Sequence, residues 1–374
     1  MVKDKKKSLN LALIAKGIKK QISDDAATIL TSSSGYASAV AYWVPTGCPS
    51  LDAILGGGIA GGRIIEIFSH HESEGKTTFA YQLAREAQKM GGVVLYIDAE
   101  HTADPKLMEQ IGVNVSESFM MSSPNTLEEM FSVIELFMDG VREQLEDHSI
   151  PVVIILDSVA AAMPQEQEDV AFGKIQIASQ AKAISTGLRK LNTMVSKAGA
   201  TLILLNQSRQ KIGVMFGDPN DTPGGKAMKF YASQRLALSK VGKILDGDKK
   251  VGAPWIGIEV RFRVVKSKVA RPHGVADLSL LFGKGFDYAS SAFDLALSKG
   301  VVQEASKGVY EVEGVKGKIY KKNFGEVLGG HPEIVAKIAE LAKAADDYAT
   351  VDVATSPLEN EDQEEDIEVG VINV

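Results

Sequence analysis

Arg63-Ile-Ile-Glu-Ile-Phe-Ser69 runs straight into His70-His-Glu-Ser-Glu-Gly-Lys-Thr-Thr78. The first seven residues are short, apolar and rich in β-branched side chains, which predicts a strand. A tight loop ending in Gly-Lys-Thr and opening a helix is a phosphate cradle. Its backbone N–H groups and the helix N-terminus face an anion. In such a loop Glu72, Ser73, Glu74, Gly75, Lys76, Thr77 and Thr78 surround a nucleotide. Lys76 reaches the β- and γ-phosphates, and the Thr77 hydroxyl binds Mg²⁺. His70 stands where the strict pattern has glycine, so it is expected to adopt the turn that glycine ordinarily supplies. Taken alone, the loop also reads as a surface turn before a helix.

Further strands are expected at Val93–Asp98, Val152–Asp157, Thr201–Asn206, Gln234–Ser239 and Gly257–Lys266, alternating with helical stretches. Several are near-continuous apolar runs, the mark of a parallel sheet covered on both faces. This predicts an α/β fold with a central, mostly parallel twisted sheet. Ligands in such sheets bind at the carboxyl ends of the strands. Two acids fall there. Asp157 ends an apolar strand in the manner of a Walker B carboxylate and is placed to hold Mg²⁺ beside Thr77. Glu100 follows Tyr96-Ile-Asp-Ala and is placed to orient an attacking water. Each alone also reads as a strand-end cap or a solvated acid. Gln207, just past the strand Thr201–Asn206, is placed to sense a γ-phosphate.

The chain has 374 residues, 45% hydrophobic and 24% charged, an ordinary globular composition. Its one cysteine, Cys48, excludes an intramolecular disulfide and a cysteine-based zinc site, and suits a reducing cytoplasm. No stretch reads as membrane-spanning. The net charge of −7 argues against a nucleic-acid partner until it is divided. Residues 346–374 carry ten acids and no Lys or Arg, so residues 1–345 carry −7 + 10 = +3. The acidic tail reads either as a solubiliser or as a decoy competing with nucleic acid for a basic surface. Residues 8–22 place Leu11, Ile14, Ile18 and Ile22 on one helical face, which suits docking on a neighbouring subunit. The expected divisions are an N-terminal helix and linker (1–45), a core (46–287), a small α+β domain (288–345) ending in a helix from Pro332 to about Ala345, and the disordered tail (346–374).

The most specific segment is residues 206–235, NQSRQKIGVMFGDPNDTPGGKAMKFYASQR. It resembles the second DNA-binding loop and following helix of the RecA recombinase family. Thr46-Gly-Cys-Pro-Ser-Leu-Asp52, Tyr96–His101, Asp157-Ser-Val-Ala-Ala161 and Val264-Val-Lys-Ser-Lys268 are similar too. The resemblance is close over about residues 46–285. It implies a RecA-type P-loop ATPase core and catalytic roles for Lys76, Glu100, Gln207, Lys266 and Lys268. It implies Asp104 as an adenine contact, and Lys266 and Lys268 as lysines reaching into the next subunit's ATP site. Residues two apart on a strand share a face, which suits that role. Lys229 and Phe230 fall on the filament interface. Leu107 replaces an adenine-stacking Tyr, and Phe282 is a candidate to supply that packing.

The DNA-binding residues implied are Lys182, Ser185 and Arg189 on a helix, with Arg209, Lys211, Ile212, Gly213, Met215, Phe216, Gly224 and Gly225 in the second loop. Arg209 and Lys211 can neutralise phosphates. Ile212, Met215 and Phe216 can wedge between or stack on bases, or fold into a local core instead. The first DNA loop falls near 168–177 and departs from the bacterial pattern, as do His70 and His71. These departures mark a divergent member. The implied function is ATP- and Mg²⁺-dependent homologous pairing and strand exchange by a helical homo-oligomeric filament on single-stranded DNA, acting on double-stranded DNA. A hexameric helicase-like motor and a non-hydrolysing DNA coat are the alternatives.

Overall fold

The computed structural model describes residues 11–22, 40–167, 177–210, 220–221, 225–246 and 253–343. Its centre is a nine-stranded sheet. In chain order the strands are β1 (Ile64–Ser69), β2 (Val93–Asp98), β3 (Phe119–Ser122), β4 (Val152–Asp157), β5 (Thr201–Gln207), β6 (Gln234–Leu245), β7 (Trp255–Ser267), β8 (Val275–Leu281) and β9 (Gly285–Phe286). In space they run β9-β8-β7-β6-β1-β5-β4-β2-β3. From β6 to β3 every pairing is parallel, and from β6 to β9 every pairing is antiparallel. The expected α/β, mostly parallel sheet is what forms.

Burial explains the apolar runs. Ile65, Ile67, Val94, Tyr96, Val153, Ile155, Ile203 and Leu205 face one core, packed with Phe79 and Leu83 of the helix Lys76–Lys89. Ile64, Leu95, Ile97, Ile154, Leu156, Leu202 and Leu204 face another, under the helices Leu127–Gln144 and Ile177–Ala198. With both faces covered, no polar alternation is needed. Each buried large side chain contributes about 1.5–3 kcal/mol of transfer free energy.

The expected strands all form, within two residues at their ends for five of them. β7 also lies within two residues of expectation, whereas β6 runs six residues past it, and the two form a long hairpin. β3 and β8 were not anticipated. β8 reads Val-Ala-Asp-Leu-Ser-Leu-Leu, with only Ala276, Leu278 and Leu280 turned into the core. It is a half-buried antiparallel strand, so a search for continuous apolar runs passes over it. β3 is a sheet edge whose Met120 and Met121 are exposed.

The helix expected over residues 8–22 is described as Leu11–Gln21, and none of its residues is buried. The C-terminal part builds its own core around Phe293, Phe324 and Ile338. It joins the rest partly through Ser291 Oγ, 2.8 Å from Ser50 Oγ. Its last helix is Pro332–Lys343. No described helix is long and apolar enough to cross a membrane.

Candidate nucleotide site at the carboxyl edge of the sheet

Parallel register brings the carboxyl ends of the central strands level. Ser69 pairs with Gln207, and Asp98 with Asp157. The phosphate loop springs from this edge. Its left-handed residues are Ser73 (φ 58°) and Gly75 (φ 90°), while His70 is not among the positive-φ residues. The expectation that His70 must supply a glycine-like turn is therefore corrected. Its backbone is compatible with any residue, and the left-handed turn falls three residues later. Gly75 suits the left-handed backbone, and a Cβ there would also push on the end of the Leu280 side chain, 2.8 Å from Cδ2.

Lys76 donates to Ser69 Oγ at 2.5 Å, and that hydroxyl donates to the His71 carbonyl at 2.7 Å. Burial lowers the lysine pKa, opposed chiefly by the carboxylates of Asp157, Glu74, Glu100 and Glu72. Thr77 Oγ1 donates to Asp157 Oδ2 at 3.0 Å, and the buried Tyr96 hydroxyl donates to the same oxygen at 2.6 Å. Desolvation raises the Asp157 pKa against these two bonds. Ser158 Oγ donates to Glu100 Oε1 at 2.5 Å, fixing a carboxylate that is otherwise exposed. The expected Lys76, Thr77, Asp157 and Glu100 thus form one connected site. A hydroxyl and a buried carboxylate at 3.0 Å form a hard-oxygen pair of the kind Mg²⁺ takes, so these residues fit the ion.

The other expected residues are placed less uniformly. Glu72 and Ser73 are exposed, and Thr78 is half-buried. Glu74 is buried, with its carboxylate turned back to accept from His71 N at 3.3 Å and Lys240 N at 3.1 Å. That leaves its backbone, rather than its side chain, to face an anion. Asp104 is exposed and caps the helix Pro105–Ile111 by accepting from Lys106 N and Leu107 N. Leu107 packs on the central core, and Phe282 is 53% exposed. Gln207 is half-buried, its N–H bonded to Asn206 Oδ1 at 3.0 Å.

Lys266 and Lys268 share a face, as expected of residues two apart. Lys266 donates to the carbonyls of Lys229 (2.5 Å) and Phe230 (3.1 Å), and Lys268 to that of Phe230 (3.1 Å). Desolvation, then the Lys268 and Arg235 charges, lower the Lys266 pKa to about 8. Phe230, expected at the filament interface, is 69% exposed. On the helix Ile177–Ala198, Lys182 and Arg189 are exposed and Ser185 is half-buried, at spacings that share one face. Gly225 opens the helix Gly225–Tyr231, and Arg209 lies in a two-residue strand paired with Asn220–Asp221. Lys211, Ile212, Gly213, Met215, Phe216, Gly224, residues 168–176 of the first DNA loop and the acidic tail lie outside the described residues.

Several site residues escaped the sequence reading. Glu66, fully buried, accepts from Arg235 Nε at 2.5 Å and from Asn206 Nδ2 at 3.1 Å, and the Arg235 guanidinium lies 4.8 Å from the Phe68 ring centroid. The available signal was a lone acid inside Ile-Ile-Glu-Ile-Phe and a lone arginine opening β6. Ser69 ends β1, Ser158 follows β4 and Tyr96 lies inside β2, with nothing local to mark their partners.

Parallel strands, a phosphate loop and paired carboxylates at the sheet edge define the P-loop ATPase class. Comparison with known proteins narrows it. The model of the RecA N-terminal domain family matches residues 7–287. Protein RecA of Heliobacterium modesticaldum is 39% identical over 315 residues, 84% of this chain and 86% of that protein. Protein RecA of Thermus aquaticus is 39% identical over 305 residues (81% and 85%), and that of Syntrophus aciditrophicus 40% over 302 (80% and 83%). The chain belongs to the RecA recombinase family.

Proposed function

We propose that this protein forms helical filaments on single-stranded DNA, pairs that strand with homologous double-stranded DNA, and exchanges strands with DNA-stimulated ATP hydrolysis. One observation carries the reading. Lys76, Thr77, Asp157 and Glu100 gather at one site, with Asp157 and Glu100 near enough to act on the Lys76 charge, on the same sheet edge from which the recombinase-like stretch 206–235 begins. The family match supports it.

In this reading the loop amides and Lys76 hold the ATP phosphates, and the anions restore the proton affinity that burial takes from the lysine. Thr77 and Asp157 hold Mg²⁺, which neutralises charge on the phosphates when bound. Glu100, held by Ser158, orients the attacking water. Asp104 and Phe282 contact the base. Lys266 and Lys268 complete the site of the next subunit, with Lys229 and Phe230 on that contact. Gln207 senses the γ-phosphate. Lys182, Ser185, Arg189 and residues 209–225 hold DNA, mostly by its backbone, because base pairing itself reads the sequence. Residues 46–287 are the ATPase and DNA-binding core, 288–345 a small appended domain, and the protein acts in the cytoplasm.

The test is strand exchange between a circular single strand and a homologous linear duplex. Lys76→Ala is expected to abolish ATP-dependent product. Full exchange by that variant sinks the mechanism, and wild-type DNA binding without phosphate release favours the non-hydrolysing coat.

A further inference from the structure

Ser208 follows Gln207 directly and is buried. Its N–H donates to the Ser69 carbonyl at 2.9 Å, and its hydroxyl lies 3.2 Å from that same oxygen. The hydroxyl also lies 2.6 Å from His70 Nδ1. Ser69 turns its own hydroxyl to the Lys76 ammonium at 2.5 Å. One residue thus has its hydroxyl on the phosphate-binding lysine and its carbonyl on Ser208. His70, which occupies the first position of the phosphate loop, adds a side-chain tie to the same serine.

The location gives this tie its meaning. β1 and β5 are neighbours in register up to Ser69 and Gln207. Beyond that pair the ladder ends, and the two chains diverge into the phosphate loop and into Arg209–Gln210. A glycine at position 70 would leave only the Ser208 contacts to the Ser69 carbonyl across the divergence, with no tie to the phosphate loop itself. The imidazole bridges it to a buried hydroxyl, where little water competes for the bond. A shift of either segment changes the bond between them.

We infer that the His70–Ser208 hydrogen bond sets how strongly nucleotide and single-stranded DNA affect each other's binding. His70 and Ser208 are positioning residues that tie the phosphate loop to the strand end beyond Gln207. This rests on the ATP- and DNA-binding reading above. Coupling of this kind is reciprocal, so it can be read from either ligand.

The experiment uses the full-length chain, a slowly hydrolysed ATP analogue and a fluorescent oligo-dT. DNA affinity is measured with and without the analogue, and analogue affinity without DNA. Ser208→Ala is expected to keep DNA-free analogue affinity within about twofold. The enhancement of DNA binding by the analogue should fall about fivefold, the factor that one ordinary net hydrogen bond carries. Ser208→Thr retains the hydroxyl and should retain the enhancement. His70→Ala should lose the same enhancement as Ser208→Ala, and the double variant should lose no more of it than either single one. His70 is half-buried, so its variant carries the test alone if Ser208→Ala fails to fold. Unchanged enhancement in the folded variants, or losses that simply add, overturns the inference and leaves the proposed function standing. A wild-type protein whose DNA binding ignores nucleotide overturns both.

Discussion

The two lysine sites of this protein differ in how they are held. Lys76 sits among three side-chain pairings made within one chain: its own with Ser69, those of Thr77 and Tyr96 with Asp157, and that of Ser158 with Glu100. Lys266 and Lys268 rest on backbone carbonyls at the end of the helix Gly225–Tyr231, beside an exposed phenylalanine. The first arrangement is preorganised for an anion. The second satisfies two cations locally and holds them beside an uncovered aromatic, as half of a site completed by another copy would. Under the proposed function, assembly and chemistry are thereby separable: the Lys76 site carries the phosphate machinery, and the lysine pair is what a neighbour would supply.

The largest effect should come from the preorganised side. Asp157→Asn removes the charge that Thr77 and Tyr96 address, and DNA-dependent phosphate release should fall on the order of a thousandfold. Release within tenfold of wild type would show that the connected network is not the reacting one.

Glu66 lies between the two regions, bonded to Asn206 at one end and Arg235 at the other. Glu66→Ala leaves a buried arginine unpaired, which costs about 3–5 kcal/mol in denaturant unfolding. A loss below about 1 kcal/mol would mean that water reaches Arg235.

Replacing Lys266 and Lys268 together by alanine should leave nucleotide binding by dilute, unassembled protein within about twofold, and lower DNA-dependent hydrolysis at least tenfold. Equal losses in the two assays would erase the distinction between the regions.

Proton affinity offers a finer probe. Burial and the Lys268 and Arg235 charges bring Lys266 down to about 8. Its ammonium, charged below that pH, is lost as pH rises through it, so hydrolysis should decline several-fold between about pH 7.5 and 9. Lys266→Arg stays charged and should move that decline upward. An identical profile in both proteins would assign the decline elsewhere. The smallest effect expected is a few-fold gain in duplex DNA binding on deleting residues 346–374, largest at low salt. Unchanged binding at several salt concentrations would leave the tail a solubiliser.

Much of this was legible beforehand. The phosphate loop, Asp157 and Glu100 were readable because each sits at the end of a local pattern, a strand ended by a polar residue. Position 70 was not legible in this way, because a motif letter does not say where the left-handed backbone falls, and here Ser73 and Gly75 carry it. The place of Phe230 at an interface came only with the resemblance, because a single aromatic carries no local sign of which way its helix faces.

Sequence alone determined the elements and the chemistry available at their ends. Strand periodicity and the loop pattern are local properties, written within about ten residues. Only the tertiary structure decided the partners. Ser158 meets Glu100 across 58 residues, His70 meets Ser208 across 138, and Arg235 meets Glu66 across 169. Those meetings require β1 to lie between β5 and β6, and β4 beside β2. Strand order is set by how the whole sheet buries its two faces, a global balance that no short stretch records.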